Sequence, residues 1–416
     1  ENGSYVAKTA ALSVDASGDI EGASFTAETA AVTLDADGNI VNATVTAATD
    51  ATLEAANIGG STVTAQTGAA GLTAAGAIGG TTVIAATDIG TSGTIAESSL
   101  TAQGGDITIA KAAAGVTNVT ASAGGGITAT DAIAWITGGS FIASGNVDLT
   151  AAATILGATV EGEAVTLTAA KGLIDDTAIG NVVVTARDNA ALNATGDISN
   201  SSILAENAAK LTLDGDLNNN TVTAGSIEIT GLANIENGSY VAKTAALSVD
   251  ASGTIEGATF TAELSSVDLD ADGSIFNSTV TALTTADLTA MLIADTSVVA
   301  GDGITTSGML RNNTLTSHGD VVIKNASIID NLEVAAAKIT ATENIGTITD
   351  GILISDGATT VSAQSILGTA FDAATADLTA ANSIEGIDVR VDTNAKLNSA
   401  SILDSDVIVS NADGSI

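Results

Sequence analysis

Residues 32–47 read VTLDADGNIVNATVTA, and the rest of the chain repeats their pattern. Val32, Leu34, Ala36, Gly38 and Ile40 fall on every second position, with Thr33, Asp35, Asp37 and Asn39 between them. Period two is the mark of a strand with one face buried and the other wet. Five residues after the anchor Ile40 comes Val45, flanked by Thr44 and Thr46 and followed by Ala47. The phrase returns as Ile20 with Phe25, Ile58 with Val63, Leu217 with Val222, Ile255 with Phe260 and Ile275 with Val280. From Ile20 to Ile402 there are 20 such steps over 382 residues, a mean of 19.1. A fixed period of this size marks a solenoid.

Nineteen residues at about 3.3 Å each trace a contour of roughly 60 Å, enough for one closed turn with two or three short sides. No window carries a sustained helical period. The expected fold is therefore all-β: a parallel β-helix of about 19 residues per coil and 21–22 coils. Stacked at about 4.8 Å per coil, these would make a rod on the order of 100 Å long. Gly, Asn and Asp between the strands tolerate the left-handed backbone of tight corners. Proline, which removes a ladder donor, is absent from all 416 residues, and Gly occurs 44 times. Phe25, Phe141, Tyr240, Phe260 and Phe371 occupy the inward place five after an anchor and are expected in the core. Two irregularities stand out. Ala114 takes the anchor place ahead of Val119-Thr120-Ala121, and the steps to Ile136 and from Ile155 to Ile179 are long. Both read as bulges or loop excursions.

A longer repeat overlies the short one. Residues 1–18 recur unchanged at 236–253, and 38 of the 47 positions in 1–47 match 236–282. The chain thus reads as one continuous solenoid, 1–416, made of a twelve-coil block, 1–235, and a partly duplicated block, 236–416. Each coil touches only its neighbours, so whole blocks duplicate easily. Glu1 corresponds to Glu236, which follows the anchor Ile235, and the chain ends on the anchor-like Ile416. The rod is accordingly expected to continue in register, as a tandem array or by head-to-tail stacking of copies.

The array of apolar-x-apolar-x-Ala-x-Gly-x-Ile, then a corner, then apolar-Thr-Ala resembles the repeats of filamentous haemagglutinin-type adhesins, the large secreted exoproteins of bacteria. It stands here as residues 32–40, Leu192-Asn-Ala-Thr-Gly-Asp-Ile198 and Leu213-Asp-Gly-Asp-Leu217, and it covers essentially the whole chain. The resemblance implies a right-handed parallel β-helix, an extracellular or cell-surface setting, and a structural or adhesive fibre. Cell-surface glycans or other cells would be its partners. The secretion and effector regions of that family have no counterpart here.

The formal net charge is −37, with 11 Lys and Arg against 48 Asp and Glu. Phosphate backbones are bound by Lys and Arg, so nucleic acid is not an expected partner. Nor does any run of residues suggest membrane insertion. Strong negative charge keeps an apolar-rich rod soluble. With no cysteine, disulfides and thiolate metal sites are excluded.

Asp268, Asp270 and Asp272 have the spacing that opens a calcium loop, and Asp35 and Asp37 form a weaker twin. A helix-loop-helix site would need Glu at its twelfth position, which is Thr279, so that version fails. Outward on a strand, these carboxylates could share calcium with neighbouring coils; the alternative is solvated Asp at a strand end. No other cofactor is indicated. Asn-x-Ser/Thr occurs at Asn42, Asn118, Asn200, Asn219, Asn237, Asn277 and Asn312, among others, at or near corners. These are candidate glycosylation sites, or corners that favour Asn.

Thr-apolar-Thr strands such as 44–46, 62–64 and 279–281 would stack into two files of hydroxyls, interrupted at Ile84, Ile142, Val160 and Val241. Such files resemble the ice-binding face of some β-solenoid antifreeze proteins, although ordinary Thr ladders explain them too. His318, the single histidine, lies beside Ser317 and Gly319 in a corner-like segment, and no catalytic constellation is visible. A non-enzymatic surface fibre is expected, with a repeat module binding ice or glycan as the alternative.

Overall fold

The computed structural model describes residues 2–170 and 176–410. The chain is an all-β parallel β-solenoid of about 21 turns, about 19 residues to the turn, with no helix among the described residues. Its contacts gather into two compact units, residues 1–215 and 216–416. Within each unit, successive turns pair as parallel ladders.

The turn at residues 32–47 shows how. Its first strand, Val32–Ala36, pairs in register with the next turn, Val32 to Ala51 and Leu34 to Leu53. The second, Asn39–Val41, sets Ile40 on Ile58. The third, Thr44–Ala47, sets Val45 on Val63 and Ala47 on Ala65. Val32, Leu34, Ala36, Ile40, Ala43, Val45 and Ala47 are all buried. Each therefore lies in a file running up the interior, where it packs on its counterpart above and below. The interior is narrow, so alanine recurs at the ends of strands where two sides converge. All five aromatics expected in the core are buried there. Tyr240 stacks on Phe260 with ring centroids 5.2 Å apart.

The alternation across Asp37–Asn39 does not continue as strand. The chain bends there and starts a separate short strand, so this turn has three sides; in others, such as Ala70–Gly79 and Val267–Phe276, the two strands run on as one with a register shift between them. Between second and third strands one residue per turn takes a left-handed backbone: Asn42 (φ 53°), Gly60 (φ 60°) and Gly80 (φ 59°) on consecutive turns. That conformation costs little for Gly and is tolerated by Asn.

Two readings of the repeat are corrected by the register. Ala114 is exposed and is not an anchor. Val116 is, paired with Ile95 and Ile136. Ala121 then fills the inward place of the third strand, between Leu100 and Phe141. A turn at 112–115 absorbs the extra residues, which shifts the apparent phrase by two. Val160 does not interrupt the hydroxyl files, because it is buried; the outward residues of its strand are Thr159 and Glu161. The long step from Ile155 to Ile179 carries its extra residues largely at 171–175, outside the described residues.

Candidate functional site

The third strands build the most regular surface. In residues 2–215 one outward column runs Ser4, Ser24, Thr44, Thr62, Thr82, Ser99, Thr120, Ser140, Thr159, Val183, Ser202. The other runs Val6, Thr26, Thr46, Thr64, Ile84, Thr101, Ser122, Ile142, Glu161, Thr185, Leu204. The rungs are about 4.8 Å apart and the columns about 7 Å. Glu161 is the one charged residue in either column. In residues 216–416 the same columns stay uncharged from Thr221 and Thr223 to Thr314 and Thr316. Charge enters at Glu333, and higher in the stack Asp388 and Arg390 form an ion pair at 2.8 Å.

Most acidic residues lie elsewhere, on the first and second strands and at corners. Many do structural work. Asp50 Oδ1 accepts from the Ala69 N–H at 2.9 Å, Asp88 from Asp106 at 2.8 Å and Asp106 from Gly126 at 2.6 Å. Asp19 Oδ1 accepts both the Asn39 N–H, at 2.7 Å, and its Nδ2, at 3.0 Å; Asn39 Oδ1 then accepts Asn57 Nδ2 at 2.8 Å. These carboxylates and amides tie a corner to the turn above it.

The proposed calcium residues fall into files. Asp268 stands in register with Ser248 and Asp287, and Asp270 with Asp250 and Thr289. All three carboxylates of 268–272 are exposed. Partial burial, then Asp287, then Asp270 raise the Asp268 pKa above the ordinary carboxylate value. Asp35 lies between Asp15 and Glu54. Among the described residues, no three Asp, Glu or His side chains gather into a group that could hold a metal ion. Asp35, Asp37 and Glu54 instead line one end of an open groove of about 480 Å³, floored by Ala55, Ala74 and neighbouring small residues, with Lys111 at its other end. The register shift after Thr73 and the bare Gly93 shape it.

Every sequon asparagine named above occupies the left-handed corner column: Asn42, Asn118, Asn200, Asn219, Asn237, Asn277 and Asn312 have φ between 49° and 58°. All are exposed. At Asn312 the amide nitrogen donates to Asp295 Oδ1 at 3.0 Å, and its oxygen accepts from Asn331 at 3.1 Å. His318 is exposed at a corner; beside it Ser317 Oγ accepts the Gly319 N–H at 3.0 Å. Trp135 is partly exposed and lies over Gly115, whose missing side chain makes room for the indole.

The sequence reading missed a buried polar column just inside the corner. Ser61, Ser98, Ser201, Ser278, Thr296 and Asn313 occupy the place that Ala43 holds in its turn, and all are buried. Ser61 Oγ donates to the Gly59 carbonyl and accepts the Ala43 N–H, both at 3.1 Å. The signal was present as Ser, Thr or Asn two residues before an inward Val, Leu or Ile, directly after the left-handed corner residue. Comparison with protein-family models, curated proteins and solved structures finds no match for this chain.

Proposed function

We propose that this protein is a non-enzymatic structural or adhesive fibre of the extracellular cell surface. The observation that supports the reading best is the parallel pairing of turn on turn within each unit, the ladders resuming past local shifts such as those after Thr73 and Ala271. Turn after turn, the same inward positions stack, and short corners, mostly of one to four residues, join the strands. Such a stack spends its sequence on length and on repeated surface, which is what a scaffold or adhesive stalk needs. The resemblance to filamentous haemagglutinin-type repeats agrees with it, and so does the acidic surface, which opposes indiscriminate clumping.

Two measurements test this. Electron microscopy of the purified chain should show elongated particles of uniform width, and antibodies to it should label the outside of intact source cells. Compact particles, or label confined to the cell interior, would overturn the reading.

A further inference from the structure

We infer that the third-strand face is a lateral docking surface for a second copy of this chain, with two stacks pairing side by side through their uncharged columns. The face is unusual first in what it lacks. Charged residues make up 14% of the chain, so two outward positions on each of eleven turns would carry about three; residues 2–215 place one there, Glu161, and the six turns from Thr221 to Thr316 place none, whereas the turns from Glu333 on carry five and lie outside the proposed surface. It is unusual also in what it holds. Six large hydrophobic side chains are exposed among the described residues of that unit, and four of them, Val6, Ile142, Val183 and Leu204, stand in these two columns. Depletion of charge together with exposed aliphatics marks the centre of an interface rather than ordinary surface.

The chemistry of the rest of the molecule selects the occupant. At a net charge of −37, two copies repel each other through their acidic first strands and corners. The neutral face is where they can approach and leave that charge pointing outward. Periodicity selects it again. The side chains form ridges repeating at about 4.8 Å, and over many turns such a surface interdigitates with another ladder of the same period. A second copy supplies that ladder. Eleven turns give a strip roughly 50 Å by 10 Å, about 1,000 Å² counted over both partners, which is near the lower limit for a specific contact. The pairing of one unit is therefore reversible, and it strengthens with each turn engaged. The inference rests on the chemistry of the face and holds whether or not the chain proves to be a surface fibre.

The test is sedimentation equilibrium of the full chain at low and high salt. Salt screens the acidic repulsion but not contacts between neutral columns, so association should tighten by about tenfold or more as salt rises. Thr62→Glu combined with Ser122→Glu places two exposed carboxylates on the face and should weaken association by about tenfold or more through like-charge contact. Thr52→Glu with Thr128→Glu adds the same charge to exposed positions of the first strands and should leave association unchanged. A wild-type chain that stays single at high concentration in high salt would overturn the inference. So would equal loss in both double variants. A chain that stays single yet is engulfed by growing ice, or retained on a neutral polysaccharide, would also overturn it and assign the face to that ligand.

Discussion

Asn313 is wholly buried, and both ends of its amide are used. Its Nδ2 donates to the Ile293 carbonyl at 2.7 Å, and its Oδ1 accepts the Thr296 N–H at 3.0 Å. Asn313→Leu would keep the volume and orphan that N–H, so it should cost about 2 kcal/mol. Thr306 is the opposite case. It stands at an inward place that Leu288 and Ile323 fill in neighbouring turns, and its buried Oγ1 has no hydrogen-bond partner. Thr306→Val replaces the hydroxyl by a methyl and should stabilise by about 1 kcal/mol. Chemical denaturation of the two variants reads both signs. Asp268 gives a pH dependence. Its folded pKa lies above the unfolded value, because burial and the carboxylates of Asp287 and Asp270 disfavour its charge. The folded state thus binds the proton more tightly, and this site's contribution to stability rises as pH falls through the raised pKa. Asp268→Asn should raise the melting temperature at neutral pH and lose that advantage in acid. At this scale the sequence disclosed the inward residues and the special corners but not the partners. Asp287 lies nineteen residues from Asp268, and only the register brings them together. The same register shows why sequon asparagines recur: each sits where the backbone is left-handed, so the corner alone suffices to explain the residue.

A single turn tests how far inward and outward differ. Val222 is buried between its neighbours, while Thr223, the next residue, is half-exposed on the uncharged face. Val222→Asp would put an unpaired charge into a narrow apolar interior and should cost more than about 4 kcal/mol. Thr223→Asp should fall within about 0.5 kcal/mol of wild type, as surface substitutions do. Thermal or denaturant unfolding of the pair checks the alternation residue by residue, and equal effects would mean that the strand is not held in this register. Most turns could be read this way because hydrophobic alternation and corner residues coincide in the sequence. The turn at Val116 could not. There Ala114, Val116 and Val119 all offer plausible anchors, and choosing among them requires knowing that Val116 stacks on Ile95 and Ile136. The three-sided shape was hidden for a similar reason. Gly38 and Ile40 keep the period-two rhythm of the preceding strand across a bend, so apolar spacing alone does not reveal the break.

Because turns touch mainly their neighbours above and below, a stack should tolerate the loss of a whole turn better than the loss of one side chain. Deleting residues 260–279 joins Thr259 to Val280. The junction then reads Thr259-Val280-Thr281-Ala282 in place of Thr259-Phe260-Thr261-Ala262, and these residues already pair one to one in adjacent turns: Phe260 on Val280, Thr261 on Thr281 and Ala262 on Ala282. The first and second strands removed with them, within Val267–Phe276, pair below with Leu247–Ala251 and Ile255–Glu256, and above with Thr285–Ala294. After deletion, Leu247 would meet Ala286 and Ile255 would meet Ile293, so every inward file closes over the gap. The cost is one turn's own stability and the two interfaces it made, offset by the one new interface, as in a one-dimensional array. Removing the Asp268 carboxylate with that turn also relieves its repulsion with Asp287. The shortened chain should keep the same strand signal per residue in circular dichroism and unfold cooperatively at a slightly lower denaturant midpoint. A deletion frame-shifted by one, residues 260–278, would bring Thr279 into the inward place of Phe260 and turn Val280 outward, reversing the strand. That variant should lose cooperative unfolding of residues 216–416, and equal tolerance of both deletions would refute stacking in register.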